Sequence, residues 1–181
     1  MDKRRINPLE YAGRIAQATP KGVLFTTKAG DEVDTMVIGW GFIGTFWGKP
    51  MFVAYIRESR HSFTLCERSG EFTVNVPTER LDPRIFKVAG TQTGRRVDKV
   101  AELGLTLVPG EEVAAPAIAE APITLECKVA YKQMLDPDAV PGDVKPGYYP
   151  ADVTDPDATG ANAFYHMAYY GEIVASYVLE G

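Results

Sequence analysis

Cationic and hydroxyl side chains gather in two short stretches of this sequence, and each has the make-up of an anion site. In "YIRESRHSF" a β-rich run ends at Arg57 and leads into a helix beginning near Arg60. Ser59 stands where an N-cap would, so free backbone N–H groups, a hydroxyl and two guanidinium groups would converge at one helix N-terminus. In "AGTQTGRRVDK", Ala89 to Lys99, two threonines, two glycines and three cations precede a second short helix. Either stretch alone reads as well as a solvated polar loop. Together they suit a ligand with a phosphate and a hydroxylated chain, guanidinium groups on the charge and threonines on the chain oxygens.

Other chemistries find little to build on. The only histidines, His61 and His166, have no local metal-ligand spacing, and Cys66 falls five residues after His61, on a different face of a helix. No Gly-x-Ser-x-Gly elbow occurs, and the aspartates of "DVTDPD" lack the glycine and terminal glutamate of a calcium loop. "GWGFIG", Gly39 to Gly44, matches a dinucleotide-binding fingerprint letter for letter. The next residues, "TFWGKPMFVAY", are aromatic and strand-like where the fingerprint needs a helix, so a glycine-rich hairpin or strand crossing is expected. No metal and no catalytic side chain are expected, and any enzymatic chemistry would belong to a bound cofactor.

The elements that must position these residues are mostly strands. "GVLFTTK", "VDTMVIGW" and "MFVAYIR" are β-branched and aromatic runs parted by turn residues, and read as an antiparallel meander. "ITLECKVAY", Ile123 to Tyr131, alternates as a strand with one wet face carrying Thr124, Glu126 and Lys128. "FYHMAYYGEIVASYVL" is again β-rich, with Gly171 marking a bulge or bend. Short helices are predicted over "NPLEYAGRIAQAT", capped by Asn7, and over "SRHSFTLCERSG", "ERLDPRIFKVAG" and "RVDKVAELG". Residues 136–162, rich in Pro, Asp and Gly, form a long acidic loop, either a lid or dimer arm or an unstructured insertion.

The 181 residues, 45% of them hydrophobic, suffice for one domain spanning 1–181 with one substantial core. A net charge of -5 argues against a nucleic-acid partner, and no run reaches the ~20 apolar residues a membrane span needs. Cys66 and Cys127, far apart behind no secretory leader, read as reduced core thiols of a soluble cytoplasmic protein.

"DTMVIGWGFIGTFWGKPMFVAYIRESRHSFTLCERSGEFTVNVP", followed by "GTQTGRRVDK" and "YYGEIVASYV", resembles the flavin reductase-like, FMN-binding split-barrel family that includes flavoredoxin. The resemblance runs from about Gly22 to Val108 and resumes near Ile123, leaving out the acidic loop. It implies a mainly β fold, a Greek-key split β-barrel with short helices, a homodimer with FMN near the subunit interface, and reduction by NADH or NADPH. Carried over by position, Thr35, Met36, Val37 and Ile38 would offer backbone groups to the isoalloxazine, with Trp40 close by. Arg57, Ser59, Arg60 and His61 match the family's phosphate-binding turn. Thr91, Thr93, Gly94, Arg95 and Lys99 match the second flavin loop, where they would hold the ribityl-phosphate side. Arg60 and Lys99 are both expected to line a surface cleft.

Three positions depart from that pattern. Ala89 stands where relatives often have cysteine, Thr93 replaces the usual serine, and Asp34 takes a position more often asparagine. A carboxylate there would either point away from the ring or disfavour its reduced anion. The implied activity is an NAD(P)H:flavin oxidoreductase passing a hydride to flavin N5. The alternatives are an FMN electron carrier exchanging electrons with a protein partner, for which the acidic loop would be the docking surface, and a split-barrel scaffold without flavin.

Overall fold

The computed structural model of the protein describes residues 1–181. Its elements run β1 (Asp2–Arg5), α1 (Ala12–Ala18), β2 (Val23–Ala29), β3 (Glu32–Ile38), β4 (Gly41–Phe46), β5 (Lys49–Arg57), α2 (His61–Ser69) and β6 (Glu71–Val76). They continue with α3 (Pro83–Thr91), α4 (Lys99–Leu103), β7 (Leu107–Val108), β8 (Ala117–Ile118), β9 (Ile123–Met134), α5 (Lys145–Tyr148) and β10 (His166–Glu180). No helix is long and apolar enough to cross a membrane.

One antiparallel sheet carries the fold, in the order β3-β2-β6-β9-β10-β5-β4, with β1 added to the far part of β10. The expected meander is therefore corrected. β2–β3 and β4–β5 are hairpins, but they lie at opposite ends of the ladder. Only Gly39 and Trp40 join those two ends, a link that spans at most ~11 Å between flanking Cα atoms. The sheet must curl until its edge strands adjoin, yet no ladder joins them, so the barrel closes around an open seam.

β2 is buried on both faces, which is why "GVLFTTK" shows no alternation. Val23 and Phe25 enter the main core with Ile15, Phe52, Phe72 and Tyr169, while Leu24 enters a second core with Leu81, Ile85, Ala89, Leu105 and Ile118. β10 shifts register at Tyr170/Gly171, the expected bulge. A Cβ on Gly171 would sit 2.4 Å from the Phe72 ring, so only glycine lets the strands close there. The β4–β5 turn places both Trp47 and Gly48 at positive φ, the twist a two-residue hairpin needs.

Several boundaries differ from the sequence expectation. Asn7 Oδ1 accepts from Leu9 N in a local turn, and α1 starts only at Ala12. "DKRR" is a strand on β10 rather than a lead-in to a helix. The wet face of β9 is corrected as well, because Thr124 and Glu126 are fully buried beneath the 109–118 segment. The Glu126 carboxylate accepts from the backbone N–H groups of Glu111, Glu112 and Val113 and from the Tyr177 hydroxyl at 2.7 Å.

Candidate functional site

At the seam, β3 has no second neighbour, so the outer backbone groups of its C-terminal half are free of the ladder. A cleft of about 170 Å³ opens there, lined by Met36, Val37, Ile38, Gly39, Trp40, Tyr55, Arg57, Arg60, Gly90 and His166. Thr35 is set back from it: its hydroxyl pairs with Thr26 at 2.9 Å, on the face of the sheet that carries the second core, and its carbonyl accepts from Lys99 at 2.9 Å. The carried-over strand residues 36–38 and Trp40 are thus brought together, and Thr35 contributes only from behind.

The cations of the first loop converge on the segment beyond α5. Arg57 donates to the carbonyls of Tyr148, Asn162 and Phe164, Ser59 to that of Ala163, and Arg60 to that of Ala161. Ser59 is therefore not the helix cap; Arg60 holds that position in extended conformation, without a side-chain cap bond. From the second loop, Arg95 donates to Ser59 O and Asp157 Oδ1, both at 2.7 Å, and Thr93 Oγ1 donates to the same carboxylate at 3.3 Å. Tyr148 and the 157–164 end of the expected loop are accordingly docked on the two cation stretches. Burial lowers the pKa of both Arg57 and Arg60, and neither has a carboxylate partner within ion-pair distance.

Lys99 departs from expectation. It is 4% exposed, not on a surface cleft, and its ammonium lies 3.0 Å from Asp34, itself 3% exposed. Burial pulls its pKa down against the pull of the Asp34 carboxylate. Asp34 points away from the seam, toward Lys99 and the Ser62 hydroxyl. Gly94 packs so closely on this group that a Cβ would meet Asp34 at 2.5 Å and His61 at 2.8 Å. His61 is engaged by Glu32 at 2.8 Å. Thr91 lies in the last turn of α3, its hydroxyl bonded to Lys87 O, because that helix runs on through Gly90. A serine or threonine so placed satisfies itself on the preceding turn.

A larger cleft, about 860 Å³, lies beside α1 and is lined by the exposed side chains of Arg14, Lys21, Arg80, Phe86 and Lys87. Size alone would favour it. None of the site residues read from the sequence lines it, and the smaller cleft holds buried Arg57, half-buried Arg60 and the free strand edge.

The family model for the flavin reductase like domain matches residues 16–179. The chain belongs to the flavin reductase-like family. An uncharacterized protein of Archaeoglobus fulgidus is 33% identical over 124 residues, 68% of this chain and just under two thirds, 66%, of that protein's length. Flavoredoxin of Desulfovibrio vulgaris is 25% identical with a TM-score of 0.64, over 88% of this chain and 69% of its own. The NADH:FAD oxidoreductase of Streptomyces globisporus C-1027 gives a TM-score of 0.59 at 18% identity, over 87% and 75% of the two chains, and at that identity speaks for the fold alone. The mainly β, antiparallel split barrel expected from the sequence is the fold observed.

In this flavin reductase-like chain, sequence reasoning passed over His166, Tyr149 and Asp157. His166 sits opposite Arg57 in the β5–β10 ladder, packs against Trp40 at 4.6 Å between ring centroids with the rings tilted 40°, and pairs through Nδ1 with the Tyr149 hydroxyl at 3.0 Å. Its only sequence signal is position, a polar residue at the start of an aromatic strand. Burial first, then Arg57 and Arg60, lower its pKa to about 3. A group held neutral in the fold contributes stability that is present above its ordinary pKa near 6.5 and is lost as pH falls toward 3. Stability should therefore fall by up to ~1.4 kcal/mol per pH unit across that window from this residue alone. Urea unfolding of His166→Gln, which lacks the titration, should show a correspondingly flatter slope.

Proposed function

We propose that the protein binds FMN at the seam and works as an NAD(P)H-dependent flavin reductase. The observation that carries this reading is the cation cluster at the seam. Buried Arg57, half-buried Arg60 and exposed Arg95 bring three positive charges against one paired carboxylate, Asp157, and the part of that charge withdrawn from water is costly unless an anion joins it. The remaining charge of two matches a phosphate monoester, about −1.5 to −2 at neutral pH. The residues therefore fit the phosphate end of FMN, and the free edge of β3 at Met36–Ile38 offers backbone donors and acceptors to the ring.

FMN supplies the chemistry when bound, accepting a hydride at N5 from NADH or NADPH. The chain's own part is placement. The β3 edge orients the ring, and Trp40 and His166 form an apolar wall that keeps water from it. His166, neutral at working pH, presents no charge to the ring. Lys99 acts at one remove, holding Asp34 turned inward and Thr35 fixed. Across β4, β5, β10 and β9 an exposed row of Phe42, Phe46, Trp47 and Tyr131, packed ring to ring with Tyr55 and Tyr170, supports a homodimer contact.

The test is the visible spectrum of the purified protein, with FMN added if it is colourless, followed by anaerobic NADH and then NADPH. Rapid bleaching by either supports the reductase; FMN binding with no bleaching removes it. That second outcome would favour an electron carrier reduced by a protein partner, a reading supported by the higher identity to flavoredoxin than to the oxidoreductase. Arg60→Ala should weaken FMN binding by about 1.5–3 kcal/mol through loss of a charge-assisted contact, a ~10- to 150-fold rise in Kd by fluorescence titration. An unchanged Kd would place the phosphate elsewhere.

A further inference from the structure

We propose that the segment 150–164 is a strap that competes with the flavin's phosphate for the arginine cluster, with the Asp157 carboxylate standing in for the phosphate. This keeps FMN an exchangeable ligand rather than a permanently held group. The inference rests on the FMN reading above.

The strap's contacts fall on the groups that an anion would use. Asp157 Oδ1 accepts from Arg95 and Thr93, while the successive carbonyls of Ala161, Asn162, Ala163 and Phe164 accept from Arg60, Arg57 and Ser59. Gly160 N closes the set by donating to Thr91 O at 2.9 Å. Beyond these, an exposed ion pair of Arg96 with Asp155 at 3.6 Å is the strap's further charged contact, and only its small Ala161 and Ala163 are buried. Its base is firmer: Tyr149 and Tyr165 stack at 4.5 Å, and Tyr149 bonds His166. A segment anchored at the base by rings and at the tip by polar contacts opens by exchanging those contacts for others of the same kind.

Charge favours the exchange, because a dianion compensates the three arginines better than one carboxylate does. A flavin without a phosphate gains nothing from displacing Asp157. An anion that must first displace an internal carboxylate binds more weakly by the fraction of molecules whose strap is open.

Asp157→Asn keeps the shape and removes the competing charge. In the full chain it should bind FMN about tenfold more tightly and release it more slowly, if the strap is closed nine-tenths of the time. Riboflavin binding should be unchanged. Chymotryptic cleavage at Tyr148 and Phe164, slow in the wild-type protein alone, should accelerate when FMN is added. Equal or weaker FMN binding by Asp157→Asn overturns the strap and leaves the flavin reading intact. An equal gain for riboflavin overturns competition with the phosphate, and unaltered cleavage overturns displacement. No FMN binding by either chain overturns the flavin reading, and the strap with it.

Discussion

Lys99→Ala should cost about 3–5 kcal/mol of folding stability, the range for breaking one partner of a buried ion pair. The substitution would strand the Asp34 carboxylate in the interior with only the Ser62 hydroxyl beside it, and leave the Thr35 carbonyl without its donor. Urea denaturation measures the loss. Lys99→Met combined with Asp34→Leu removes both charges while keeping most of the volume, and should recover much of the stability. Weakened FMN binding by Lys99→Ala with stability unaltered would mean that this lysine serves the ligand and not the fold.

Glu126→Ala should be comparably damaging, about 3–5 kcal/mol, because hydrogen bonds to a charged acceptor are worth about 1.5–3 kcal/mol each. Three consecutive backbone N–H groups of the 111–113 turn and the Tyr177 hydroxyl converge on that one carboxylate. Without it the turn loses the anchor at its centre and is held over the sheet only by its flanks, where Ala114 N donates to Glu71 and Pro116 O accepts from Thr73. Glu126→Gln keeps the shape but offers one acceptor oxygen where two are used, so it should fall between Ala and wild type. A thermal scan showing Glu126→Ala within ~1 kcal/mol of wild type would mean that water replaces the carboxylate at the turn.

How far the sequence could be read depended on whether the deciding force was local. The hairpins β2–β3 and β4–β5, the short helices α3 and α4 and the Gly171 bulge all rest on residues close in sequence. What no local pattern carries is which hairpins become neighbours: β5 lies beside β10, more than a hundred residues away, and that pairing creates the seam. The same limit governed the site. Arg57, Arg60, Arg95 and the β3 stretch could be recognised from their loops and from the family pattern. Lys99 reads as a loop cation until Asp34, 65 positions earlier, is seen to face it. Glu126 alternates like a solvent-facing residue, and only the overlying turn buries it. Asp157 reads as one acid in an acidic loop, and its meaning depends on Arg95 lying across from it.

Trp40 carries a practical consequence. The protein has only two tryptophans, one packed against His166 at the seam and the other, Trp47, at the exposed tip of the β4–β5 turn. Flavins absorb where indole emits, so a ring bound at the seam would quench the first tryptophan by resonance energy transfer more strongly than the second. Protonation of the adjacent imidazole would quench it too, by electron withdrawal. The fold thus has a built-in optical reporter, and a Trp47→Phe variant would leave an emission that comes from the seam alone.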